Sequence, residues 1–254
     1  MPRLDVQIAT PDGHSDATLH IPEGGGPWPG VVVFPDGYGA RETIRQMGDR
    51  VADMGYVALV PDIYYRAGDW APFDPDTAFT DPAERDRLSG YMGTLTNDRI
   101  IADANAYTDF LLNRPEVTGA AIGTTGYCFG GRMSMVTAGG LNGKIAAAAS
   151  FHGGGIAVAG DPSSPHLAAN KITAAVYVAG AQEDKHFTPE QAELLENALT
   201  EAGVDHTVEF YPARHGFAVT DNPVYDADAD ARHWEALRTL YAAHLDGHVE
   251  RSSP

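Results

Sequence analysis

The segment Thr124-Thr125-Gly126-Tyr127-Cys128-Phe129-Gly130-Gly131, which holds the only cysteine of the chain, limits the fold more than any other. An apolar run at 120–123 leads into it as a strand, and residues 132–138 lead out of it as a helix. A strand that becomes a helix across one residue strains that residue's backbone. Side chains two positions to either side would then strike the neighbouring strand and helix, and glycine avoids both collisions. The pattern Gly-x-Cys-x-Gly is a nucleophile elbow with sulfur where a serine oxygen is usual. The turn sets the sulfur at a helix N-terminus, where partial positive charge favours thiolate over thiol. A free cysteine is more often a buried structural residue, but the flanking glycines favour a nucleophile here.

Strands and helices alternate around this elbow. Residues 4–9 and 18–21 pattern as a hairpin about Pro11-Asp12-Gly13. Residues 30–34 and 56–60 are continuous apolar runs, as expected of strands buried on both faces, with a helix at 42–54 between them. At 97–113, Ile100, Ile101, Ala104, Tyr107, Phe110 and Leu111 fall on one helical stripe. Further strands are expected at 145–151, 173–179 and 206–211, and helices at 189–202 and 228–245. This order predicts one α/β domain over residues 1–254, with a mostly parallel central sheet and helices on both faces. Residues 63–82 look irregular, and 63–95 is expected to form a lid or substrate loop.

The net charge of −18, from 17 basic and 35 acidic residues, argues against nucleic acid and anionic membrane surfaces as partners. No window approaches the roughly 18 apolar residues of a membrane span. The first residues lack a signal-peptide pattern, and a single cysteine allows no internal disulfide. A cytoplasmic location is the expectation, and the oligomeric state is not legible.

A cysteine nucleophile needs a base, an acid to orient it, and donors for an oxyanion. In this fold the chain order is nucleophile, acid, histidine. His215, in Arg214-His215-Gly216-Phe217, follows the last expected strand and suits the base. Asp184 follows the preceding strand and suits the acid, with Glu183 as an adjacent alternative. The oxyanion donors are expected to be the backbone N–H groups of Phe129 and of Gly37. His152-Gly153-Gly154-Gly155 looks like a lipase oxyanion motif, but it lies after the nucleophile instead of before it. It is therefore expected to be a strand-end turn, with His152 lining the pocket.

The elbow, the loop acid and Arg214-His215-Gly216-Phe217, supported by Pro61-Asp62-Ile63-Tyr64, together resemble the dienelactone hydrolase (carboxymethylenebutenolidase) family of the α/β-hydrolase superfamily. The similarity runs from Pro29 to Leu245. It implies a triad of Cys128, Asp184 and His215, hydrolysis of a small ester or lactone through a thioester, and neither metal nor organic cofactor. The family carries a glutamate after the strand that ends at Phe34, thought to tune the thiol. Asp36 stands there, one methylene shorter, either in that role or bracing the oxyanion loop. The resemblance also implies two arginines for a substrate carboxylate. Arg66 matches the first, whereas Val219 occupies the second position and favours a neutral or differently shaped ester. Tyr38 and Trp70 are further candidates for substrate contact, Trp70 either roofing the pocket or packing its loop onto the domain. Acyl transfer on the same elbow, and ligand binding with redox sensing by Cys128, are the rival functions.

Overall fold

A computed structural model describes residues 2–245. The strands are β1 (Arg3–Thr10), β2 (Gly13–His20), β3 (Trp28–Phe34), β4 (Val57–Pro61), β5 (Val117–Tyr127), β6 (Ile145–Phe151), β7 (Ala175–Glu183) and β8 (His206–Arg214). The helices are α1 (Glu42–Asp53), α2 (Pro82–Thr94), α3 (Asn97–Leu112), α4 (Phe129–Gly140), α5 (Pro189–Ala202) and α6 (Ala227–His244). One sheet holds all eight strands in the order β1-β2-β4-β3-β5-β6-β7-β8. Only the pairings of β2 with β1 and β4 are antiparallel.

The continuous apolar runs are explained by cover on both faces. Val31 and Val33 of β3 pack into a core with Ile44, Met47 and Val51 of α1 and Trp234 and Leu237 of α6. Val32 and Phe34 face the other way, into a core with Tyr107 and Leu111 of α3, Met133 of α4 and Leu195 of α5. Because residues 29–34 of β3 and all of β4 are buried, the alternation that marks a one-sided sheet is absent there. The chain leaves β3 for β4 on one side and returns to β5 on the other. That reversal falls at the C-terminal strand ends, where sites of open α/β sheets form.

Segment 63–95 is more ordered than its sequence suggests. It contains a short 3-10 turn (Tyr65–Ala67) and α2, which was not expected. Leu88 is the only buried residue of α2, so no apolar stripe announces the helix. Its start is nevertheless conventional, with the Asp81 carboxylate accepting the N–H groups of Ala83 and Glu84 and Pro82 at the first position. Tyr64, Trp70, Phe73 and Tyr91 pack edge-on and tilted against one another and hold the segment down. Met1 and residues 246–254 of the expected domain lie outside the described residues. Among the described residues no helix is long and apolar enough to cross a membrane.

Candidate active site

Cys128 sits between the end of β5 and the start of α4 with φ 53° and ψ −114°. Such a conformation costs a non-glycine residue on the order of 1–3 kcal/mol and persists only where the surroundings enforce it. The surroundings here are tight. A Cβ at Gly126 would lie 2.0 Å from the Gly130 carbonyl oxygen, and one at Gly130 would lie 2.3 Å from that of Pro35. The second contact shows how closely α4 abuts the end of β3, bringing Phe129 beside the loop that carries Gly37.

His215 follows β8, with Nε2 3.0 Å from Cys128 Sγ and Nδ1 2.6 Å from Asp184 Oδ2. The Asp184 carboxylate is buried, and its other oxygen accepts the His186 N–H at 2.8 Å. Glu183 is exposed and makes no bond to His215, because successive residues at a strand end point to opposite sides. Burial disfavours the charged His215 ring, but the Cys128 sulfur and the Asp184 carboxylate outweigh it and push its pKa up to about 10.

In the loop after β3, the Asp36 carbonyl accepts the Gly39 N–H and its Oδ1 accepts the Tyr38 N–H at 3.0 Å. Tyr64 donates its hydroxyl to the Gly37 carbonyl at 2.7 Å. No acceptor among the described residues takes the Gly37 N–H. Tyr38 is buried, and that burial, with the Asp36 carboxylate next, raises its phenol so that its hydroxyl stays protonated. Among the described residues no cluster of His, Cys, Asp and Glu is arranged to hold a metal ion.

Four sequence expectations need correction or a choice between alternatives. Asp36 makes no hydrogen bond to Cys128; its carboxylate takes Arg41 on both oxygens, at 2.7 and 2.9 Å, as well as the Tyr38 N–H. It braces the loop instead of meeting the thiol. Arg41 is held on its other side by Asp221, a support that the sequence did not reveal. Arg66 is spent on Asp103, at 2.6 and 2.8 Å, and on Asp12 at 2.7 Å, so each of its nitrogens already serves a carboxylate. Trp70 donates Nε1 to Asp62 at 3.0 Å and packs in the aromatic group, the loop-anchoring alternative. His152 is fully buried and presents no surface to a substrate. Its Nδ1 accepts the Cys128 N–H at 3.1 Å.

A sheet with its reversal at β3, and a strained cysteine above it in contact with a histidine, define an α/β-hydrolase. The family model described as the dienelactone hydrolase family matches residues 15–245, and the chain belongs to that family. It is 31% identical to a Synechocystis protein provisionally named a carboxymethylenebutenolidase, over 96% of this chain and 95% of that one. A carboxymethylenebutenolidase of a Pseudomonas strain is 26% identical over 90% of this chain and 91% of its own length. The crystal structure of a protein provisionally named a dienelactone hydrolase, from Klebsiella pneumoniae, superposes with TM-score 0.80, covering 96% of this chain and 99% of that one. At 22% identity it speaks for the fold alone. The protein is thus a dienelactone hydrolase-like hydrolase.

Proposed function

We propose that the protein hydrolyses a neutral ester or lactone through a thioester on Cys128, with His215 as base and acid and Asp184 as its orienting carboxylate. The contact that carries this reading is the 3.0 Å approach of His215 Nε2 to Cys128 Sγ, backed by Asp184 at 2.6 Å. The thiolate attacks the acyl carbon, and the Phe129 and Gly37 N–H groups receive the oxyanion. Each such donor is worth roughly 10²–10³ in rate. As the intermediate collapses, the carbon–oxygen bond breaks and His215 gives its Nε2 proton to the leaving alkoxide. His215 then takes a proton from water, the hydroxide adds to the thioester, and the thiolate leaves to free the acid. Tyr38, held protonated in the loop that carries Gly37, is the candidate side chain for a substrate contact. A neutral substrate follows from the tied-up Arg66 and the fully buried Val219, neither of which can hold a carboxylate.

Hydrolysis of p-nitrophenyl acetate tests the reading. Cys128→Ala should lose at least about 10³ in kcat/KM, and mass spectrometry of the quenched wild type should find an acyl group on Cys128. Equal rates for the two proteins would remove Cys128 from the mechanism.

A further inference from the structure

Cys128 and His152 are the only non-glycine residues with positive φ among the described residues, at 53° and 40°. They are joined by a hydrogen bond. The Cys128 N–H is shared between the Phe151 carbonyl and His152 Nδ1, both at 3.1 Å. We propose that His152 is a positioning residue for the nucleophile: by accepting the Cys128 N–H at Nδ1, it holds the elbow backbone in its strained conformation and so sets the direction of Sγ. The proposal rests on Cys128 being the nucleophile.

Three observations support it. An acceptor at Nδ1 requires that the ring proton reside on Nε2, and that buried Nε2 has no partner among the described residues. An unsatisfied buried donor is costly, so the ring is kept for what its other nitrogen does. The His152 backbone at φ 40° lies where histidine and asparagine are both enriched among non-glycine residues, so its conformation alone does not select the imidazole. Packing needs would be met by an apolar ring, yet an imidazole stands here, with its centroid 4.9 Å from that of Phe217 and 5.3 Å from that of His215. Finally, a proton on Nδ1 would remove the acceptor and place a second cation beside His215. Burial and the neighbouring His215 and His233 hold His152 well below the ordinary imidazole range, which keeps that lone pair free.

Asparagine separates the acceptor from the ring, since its Oδ1 falls near the place of Nδ1 and its backbone accepts positive φ. In steady-state hydrolysis of p-nitrophenyl acetate, His152→Asn should keep kcat within about threefold. His152→Phe and His152→Gly should lose roughly tenfold to a hundredfold in kcat with KM little changed, as a misplaced nucleophile does. Thermal midpoints accompany each variant. If the Phe variant does not fold, the Asn–Gly comparison decides, because both residues suit the backbone. Equal activity of Asn and Gly, or a loss in Asn as large as in Gly, overturns the proposal. Cys128→Ala in the same assay separates the two readings: retained activity there removes the nucleophile, whatever His152 does.

Discussion

Two Asp–His pairs lie on either side of the Tyr127–Cys128 peptide, and they have opposite characters. On the more exposed side Asp184 holds His215 at 2.6 Å and His215 meets the Cys128 sulfur at 3.0 Å. On the core side Asp230 holds His233 at 3.1 Å and His233 meets the Tyr127 hydroxyl at 3.0 Å. The connectivity is the same, but the environment differs. The His215 side chain is 24% exposed, whereas that of His233 is completely buried between Phe151 and Trp234. His215 ends on a thiol that can ionise. His233 ends on a phenol whose pKa burial raises still further, so it has no proton to take. Burial correspondingly holds the His233 ring below its ordinary range, against the pull of Asp230. On the proposed reading, what would make one Asp–His pair catalytic and leave the other structural is the group at its far end and its access to solvent.

The sharpest way to break this contrast is to remove each histidine in turn. His215→Gln should lower kcat by about 10²–10⁴, while His233→Gln should leave it within about threefold. The second variant should instead cost about 1–3 kcal/mol of stability in chemical denaturation, since it disturbs a buried, satisfied network. A large kcat loss in both would mean that the core pair also serves the reaction.

A smaller effect, but opposite in sign for the two, is expected in stability against pH. His215 binds its proton more tightly folded than unfolded. Its contribution is complete below about pH 6.5 and fades as the pH rises toward its folded value of about 10. His233 binds its proton less tightly folded, so its contribution holds above about pH 6.5 and is lost as the pH falls through its lowered value. The gap in thermal midpoint between wild type and His215→Gln should therefore close on the alkaline side, and the gap for His233→Gln on the acid side. Parallel slopes would erase the distinction.

The smallest effect on activity is expected outside both pairs. Arg66→Ala should change kcat/KM less than about twofold on esters with or without a free carboxylate, while lowering stability because Asp103, 2% exposed, loses its charged partner and keeps the Tyr65 hydroxyl. A selective loss on the carboxylate-bearing ester would restore Arg66 as an anchor.

The parts legible in the sequence were those governed by short-range rules. The runs at 30–34 and 56–60 announced strands because both faces are covered, and the stripe at Ile100, Ala104, Tyr107 and Leu111 announced α3 because one side is buried. α2 was missed because Leu88 alone is buried there. Likewise, an Asp and a His three residues apart in α6 resemble any polar helix surface until Tyr127, more than a hundred positions away in the chain, is found above them.

By itself the sequence determined the alternation of strands and helices, the strained turn at Cys128, and the placing of Asp184 and His215 on successive loops after it. These follow from steric and periodic constraints among residues a few positions apart. Only the tertiary structure decided where each polar side chain spends its hydrogen bonds: Asp184 and not Glu183 on His215, Asp36 on Arg41, Arg66 on Asp103, His152 on the Cys128 amide. The physical reason is range. A hydrogen bond is made or lost within a few tenths of an ångström near 3 Å, and the partners that compete for these groups come from distant parts of the chain.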